Sequence, residues 1–258
     1  MELSMVTELF DFKYTESDAQ IASLLESHCH FRFEIIAVIS GCIDILIEGE
    51  TYRCEKGEMA IIPPLTYHSV TVCKASKYRR ITALFDGNSL ADAIVQRLTA
   101  NVKGSPIFSF DALQFMIESL HNAITKDDIK TYSPLAQAIA MQIIYVCAEE
   151  DVRNHRQDEE NDGNLLQTAI KYVDQHIKDK ISLEDMAQAL FISRSSLCHI
   201  FSERMQISPK QYIIQKKMAY ATMLIENGTP MTQAARAIGY DNYSNFYRMY
   251  KKTNSRGV

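Results

Sequence analysis

No stretch of this 258-residue chain approaches the ~18 consecutive apolar residues of a membrane-spanning helix, so no membrane partner is expected. The first residues, Met1-Glu2-Leu3-Ser4-Met5-Val6-Thr7-Glu8, lack a basic segment followed by an apolar one, and no secretory signal is expected. The cysteines Cys29, Cys42, Cys54, Cys73, Cys147 and Cys198 form no Cys-x-x-Cys pair. Most sit among apolar neighbours, which points to reduced thiols in a cytoplasmic protein rather than disulfides or structural zinc. What remains is ordinary for a soluble globular chain: 47% hydrophobic and 23% charged residues, over a length that suits two domains.

The charge is unevenly spread. Residues 164–258 hold 13 Lys and Arg against 7 Asp and Glu, a balance of +6. Residues 1–163 hold 14 against 25, a balance of −11, and the two sum to the net −5. A basic C-terminal part joined to an acidic remainder suits a DNA-binding domain attached to a sensing domain.

From Met1 to about Thr82 the pattern is one of strands. Phe31 to Ile39 is β-rich and ends at Ser40-Gly41; further short runs end at Glu48-Gly49-Glu50, Glu55-Lys56-Gly57-Glu58 and Pro63-Pro64. Short strands with regularly spaced turns argue for a small sandwich or barrel. From Ser89 the period becomes helical. Leu113, Met116, Leu120 and Ile124 mark one helix; Leu135, Ile139, Ile143 and Val146 mark another, with Ser133-Pro134 as its expected start. These helices either cover the barrel or pair with a second copy, and pairing is the favoured expectation. Residues 151–163 are polar and highly charged, as in a solvated linker.

The remainder is helical, and it repeats. Ser193-Arg194-Ser195-Ser196-Leu197-Cys198-His199-Ile200-Phe201 reads as a helix capped by Ser193, with Leu197, Ile200 and Phe201 on one apolar face. Phe246, Met249 and Tyr250 repeat that spacing 49 positions later. Ala187 and Ala235 supply the small residues that a helix-turn-helix needs where its helices approach. Ser208-Pro209 opens a long connecting helix, closed by Asn227-Gly228. Arg194, Lys210, Lys216, Lys217, Arg248, Lys251 and Lys252 are candidates for phosphate contacts.

From about Leu165 to Lys252 the chain resembles the AraC/XylS family of transcriptional regulators. The matching residues are Ala187, Ser193, Leu197, Phe201, Ser208-Pro209, Tyr212, Leu224, Ala235, Gly239-Tyr240, Phe246 and Tyr250-Lys251-Lys252. The resemblance implies DNA contacts from Arg194, Ser195, Ser196, Cys198 and His199 in the first unit. In the second it implies contacts from Tyr243, Ser244, Tyr247, Arg248, Lys251 and Lys252. Arg248 is the best guanine reader by chemistry, since its fork suits O6 and N7. Three positions depart from the family: Gln206 stands where glycine is usual, Lys217 where arginine is common, and the family's closing helix is missing after Thr253. A left-handed backbone at Gln206 would cost roughly 1 kcal/mol.

Glu26 to Val72 resembles the cupin motifs. His28-Cys29-His30, Glu34 and Gly41 follow the first motif; Gly57, Pro63 and His68 follow the second, with Leu65 replacing its second glycine. His28, His30, Glu34 and His68 are therefore candidates for one site. Two readings stay open: a three-histidine, one-carboxylate metal site, or a pocket for an organic effector built from the same side chains.

The expected fold is thus α+β with two domains: a cupin-like β-barrel (1–88), a helical dimerisation or packing segment (89–150), a linker (151–163) and an all-α double helix-turn-helix domain (164–258). The expected function is sequence-specific regulation of transcription under control of a small molecule in the barrel. Expected partners are double-stranded DNA, a small-molecule effector such as a sugar, a second copy of the chain, and RNA polymerase. No cofactor is expected beyond an optional divalent metal, and no catalysis. The alternatives are a metal-dependent cupin enzyme with a helical tail, or a module that binds protein partners.

Overall fold

The alternation of buried residues along one strand explains how the N-terminal half is layered. In the computed structural model, which describes residues 1–17, 27–73, 78–126, 128–150 and 165–254, strand β3 (Phe33–Ser40) is buried along nearly its whole length. Its side chains point alternately to the two faces of the sheet. Phe33, Ile35, Ala37 and Ile39 enter a core shared with helices. Ile36 and Val38 enter a second core, between two sheets. Glu34 has the parity of Ile36 and Val38 and so faces the inter-sheet side.

The other strands are β1 (Glu2–Val6), β2 (Phe10–Ser17), β4 (Cys42–Ile47), β5 (Glu50–Glu55), β6 (Met59–Ile62), β7 (His68–Val72), β8 (Tyr78–Phe85) and β9 (Ile107–Phe108). They form a six-stranded sheet in the order β1-β2-β8-β3-β6-β9 and a three-stranded sheet in the order β5-β4-β7. All pairings between these strands are antiparallel. The turns fall where the glycines stand: Gly41, Gly49 and Gly57 all have positive φ. Leu65, in the place of the second motif's glycine, also has positive φ, at 59°.

Three helices lie against the larger sheet: α1 (Asp92–Gly104), α2 (Asp111–Ile124) and α3 (Ile129–Glu149). Leu98, Leu113, Ile117, Leu120, Ala136, Ala140 and Ile143 share one core with Phe10, Phe12, Phe33 and Phe85. The segment therefore covers the barrel with its inner faces, one of the two expectations, and leaves its outer faces for the other, pairing with a second copy. The start of α3 is also corrected. Asp128, not Ser133, is the N-cap: its carboxylate accepts from Thr131 N. Pro134 lies inside the helix. The expected linker, 151–163, lies outside the described residues.

The C-terminal part holds α4 (Leu165–Gln175), α5 (Leu183–Ala189), α6 (Arg194–Met205), α7 (Pro209–Glu226), α8 (Met231–Ala237) and α9 (Tyr243–Asn254). The pairs α5/α6 and α8/α9 are the two helix-turn-helix units, and α7 joins them. Each has its own core. Met186, Ala187, Leu197, Phe201 and Tyr212 close the first; Met218, Ala221, Ala235, Ile238 and Phe246 close the second. Serine caps recur as their chemistry requires: Ser182 accepts from Asp185 N, Ser193 from Ser196 N, and Ser208 forms a full capping box with Gln211.

Candidate functional site

Strand parity and one backbone bridge bring the four cupin-motif residues together. Glu34 points inward from β3, and His68 is the first residue of β7, sharing the inward parity of Val70. His28 and His30 are not on a strand; they lie on the segment leading into β3. His28 is held to His68 by a pair of backbone hydrogen bonds, His28 N to His68 O at 2.9 Å and His68 N to His28 O at 3.0 Å. One donor atom from each of the four residues falls within 4.8 Å of all the others. Glu34 Oε2 lies 2.8 Å from His68 Nε2, 2.9 Å from His30 Nε2 and 3.9 Å from His28 Nε2. His68 is fully buried, while the His28 side chain is 46% exposed, so the cluster opens to solvent on the His28 side.

The tautomers are constrained. His30 Nδ1 donates to the Arg32 carbonyl and His68 Nδ1 to the Thr66 carbonyl, both at 2.9 Å. In a neutral ring this leaves Nε2 as a lone pair, and both Nε2 atoms face a carboxylate. Such a site calls for a cation, either protons on the rings or a metal ion. Burial alone would raise the Glu34 carboxyl, yet hydrogen bonds from His30 and His68 hold it well below the usual carboxylate range. Burial likewise opposes a charge on His68, yet the hydrogen bond and charge of Glu34 raise its pKa above the ordinary histidine value.

The DNA-facing candidates fall on the outer faces of α6 and α9. Arg194, Ser195, Ser196 and His199 are exposed, and Cys198 is half-buried. Arg194 rests on Glu184 at 2.6 Å, His199 on Glu203 at 3.6 Å, and the Ser196 hydroxyl meets that of Ser193 at 2.8 Å. On α9, Tyr243, Ser244, Tyr247, Arg248, Lys251 and Lys252 are all exposed. The Tyr243 and Tyr247 rings stack at 6.1 Å, and Arg248 donates to Asn245 Oδ1 at 3.0 Å. Lys210 is exposed as expected.

Two of the proposed phosphate contacts are overturned: Lys216 and Lys217 are only 3% and 5% exposed. Lys217 Nζ donates to the carbonyls of Ile177, Asp179 and Ile238. It thereby ties the end of α4 to the end of α8, and burial lowers its ammonium to about 8. Gly239 completes this joint, because a Cβ there would meet the Asp179 backbone at 2.8 Å. Lys216 turns the other way, to the barrel.

That barrel contact was not foreseen from the sequence. The tip of the β4–β5 hairpin, Glu48-Gly49, presses on α4 and α7. Glu48 accepts from Tyr67 N at 2.9 Å, from the Tyr212 hydroxyl at 2.8 Å and from Lys216 at 3.4 Å. Gln167 donates to the Glu48 carbonyl at 3.0 Å. Tyr67, fully buried, inserts into the core of the first helix-turn-helix unit; its ring lies 5.8 Å from that of Tyr212, and its hydroxyl donates to Met205 O at 3.4 Å. Lys216 also bonds Asp174 at 2.7 Å and the Leu65 carbonyl. Burial opposes its charge, but Glu48, Cys29 and Asp174 together outweigh this and hold its pKa above the ordinary lysine value. The lysine pair itself carried no signal of this, since neighbours about 100° apart on a helix can both face water.

Residues 16–144, half of the chain, match the family model of the AraC-like ligand binding domain, and residues 186–255 match that of a helix-turn-helix domain. The probable transcriptional regulator LumQ of Photobacterium leiognathi is 30% identical over 82 residues, 31% of this chain and 33% of that protein; the chain thus spans about a third of LumQ. The uncharacterized HTH-type transcriptional regulator YdiP of Escherichia coli (strain K12) is 23% identical over 232 residues, 84% of this chain and 74% of that protein. The crystal structure of ToxT from Vibrio cholerae O395 aligns over 97% of this chain and 98% of its own, with a TM-score of 0.43 and 11% identity. No helix among the described residues is long and apolar enough to cross a membrane. The chain belongs to the AraC family of DNA-binding transcriptional regulators, with a ligand-binding domain ahead of its helix-turn-helix domain.

Proposed function

We propose that α6 and α9 read two successive stretches of major groove, and that a small polar effector taken up at His28, His30, Glu34 and His68 sets how they are presented. The observation that supports DNA reading is the division of each helix into two faces. Leu197, Phe201 and Phe246 are fully buried, while Ser195, Ser196, His199, Tyr243, Ser244, Tyr247 and Arg248 stand exposed opposite them. These exposed groups are hydrogen-bond donors and acceptors or aromatic rings suited to base edges and thymine methyls. Arg194, Lys210, Lys251 and Lys252 meet phosphates. The effector is a small polar molecule or ion, a sugar being one such class, and it enters beside His28.

A regulatory rather than catalytic use of the barrel is favoured by its contact with α7, which gives site occupancy a route to the DNA-binding helices. The protein works in the cytoplasm as a homodimer, with RNA polymerase as a further partner at the promoter. The deciding measurement is fluorescence anisotropy on the cognate site with Arg248→Ala. The variant should lose about 1–3 kcal/mol of binding and relax base choice at one position. Unchanged affinity with unchanged base preference would remove Arg248 from the reading surface.

A further inference from the structure

We propose that the end of the inter-sheet space away from the histidine cluster binds a small organic carboxylate, held by Arg80 with the hydroxyls of Tyr78 and Thr15.

Five buried side-chain polar atoms lack a hydrogen-bond partner among the described residues, and three of them belong to this one patch: Arg80 Nε, the Tyr78 hydroxyl and Thr15 Oγ1. Thr15 on β2 lies directly opposite Arg80 on β8, which puts their β-carbons about 5 Å apart on one face. Tyr78 is two residues from Arg80 along β8 and shares that face; Arg80 Cζ lies 5.8 Å from its ring centroid. The face is the inter-sheet one, because Tyr78 and Val38, the residue opposite Arg80 on β3, both belong to the core between the sheets. Val38 stands four residues beyond Glu34 on the same face of β3, so the patch is about 13 Å from the histidine cluster along the strand.

Arg32, Arg53, Arg97 and Arg194 each meet a carboxylate, on Asp11, Asp44, Glu149 and Glu184. Arg80 is only 8% exposed, yet no carboxylate among the described residues meets it. A permanent cation taken out of water without a partner is costly, and unpaired buried hydroxyls beside it add to the cost. Burial pushes the Tyr78 hydroxyl up to about 12, against the opposing charge of Arg80, so it stays a donor. All three groups can donate, and what they lack is an acceptor with a single negative charge. A carboxylate supplies it: its two oxygens take the guanidinium fork and still accept from the hydroxyls. Val38, Ile43 and Cys54 make the adjoining core apolar. That favours an acid with a short hydrocarbon body over phosphate, whose second charge would stay buried and unpaired.

The test titrates the full chain with acetate, butyrate and inorganic phosphate by calorimetry at fixed ionic strength. One butyrate per chain is expected, bound more tightly than acetate, with a melting temperature that climbs with butyrate concentration. Arg80→Met should abolish this binding. It should also melt at a higher temperature than ligand-free wild type, because an unpaired buried charge has been removed; an arginine that served the fold would give the opposite shift. Tyr78→Phe keeps the ring, and should weaken butyrate binding about tenfold. Wild-type protein that takes up no carboxylate, or phosphate alone, overturns the ligand class. A lower melting temperature in Arg80→Met overturns the reading of Arg80 as a cation awaiting its partner. Unchanged butyrate affinity in Tyr78→Phe overturns the part given to the hydroxyl. Binding that survives Arg80→Met but is lost in His28→Ala places the carboxylate in the histidine cluster and overturns the site.

Discussion

Single side chains mark where the sequence was legible and where it was not. Gln206 stood out as an unusual residue at a glycine position, and it does adopt a left-handed backbone, with φ 60° and ψ 17°. Gln206→Gly should therefore raise stability by about 0.5–1 kcal/mol, the strain removed less the extra freedom of glycine in the unfolded chain; urea unfolding would show it as a higher midpoint. Lys216 and Lys217 were misread because charge alone suggests phosphate contact. Burial and partners decide otherwise, and neither can be read from a lysine pair without knowing which neighbours pack on that face. Lys217→Met should cost about 3 kcal/mol, because three carbonyls lose their donor. The same unfolding experiment checks it, and a loss well under 1 kcal/mol would mean that water replaces the ammonium there.

Elements that carry their own chemical punctuation were legible, and those that borrow it were not. Ser193, Ser208 and Asn242 cap helices as their side chains suggest, with Asn242 Oδ1 accepting from Asn245 N. Helix α1 was missed because it has little to show: Ala91 supplies no side-chain cap, and only Leu98 and Val102 are buried. The start of α3 was misplaced because Ser-Pro resembles a helix start, whereas Asp128 had already capped the chain five residues earlier. In α9 the single buried anchor is Phe246, fully enclosed among Met218, Ala221, Ala235 and Ile238. Phe246→Ala should cost about 3–5 kcal/mol within the second unit. In a footprint, protection should shrink to the part read by α6 while the first unit stays folded by circular dichroism. Full-length protection would show that α9 is held by something other than this anchor.

For the whole molecule, the two-domain plan and the convergence of His28, His30, Glu34 and His68 were readable, since the motif spacing puts Glu34 and His68 on two strands and His28 and His30 on the segment that leads into the first of them. The docking of one domain on the other was not, because Glu48, Tyr67 and Lys216 are far apart in sequence and carry no shared pattern. The outer surface of α2 and α3 bears on self-association. Phe115 is 72% exposed and Leu135 47% exposed, beside Met116 and Ile139 in one shallow groove. Phe115→Asp with Leu135→Asp should convert the proposed homodimer to a monomer in light scattering, with the fold unchanged. An unaltered mass would place the pairing surface elsewhere.

The fit at Gly49 bears on modularity. Its φ is +87°, and a Cβ there would meet Leu166 Cδ2 at 2.3 Å, so the hairpin tip and α4 are shaped to each other. A chimera cut within residues 151–163, joining this barrel to another reading domain, would separate two surfaces that were moulded as one. Such hybrids should bind DNA yet be deaf to the sensor. Hearing should return only when the faces of α4 and α7 that meet Glu48, Gly49 and Tyr67 are transplanted together with the barrel.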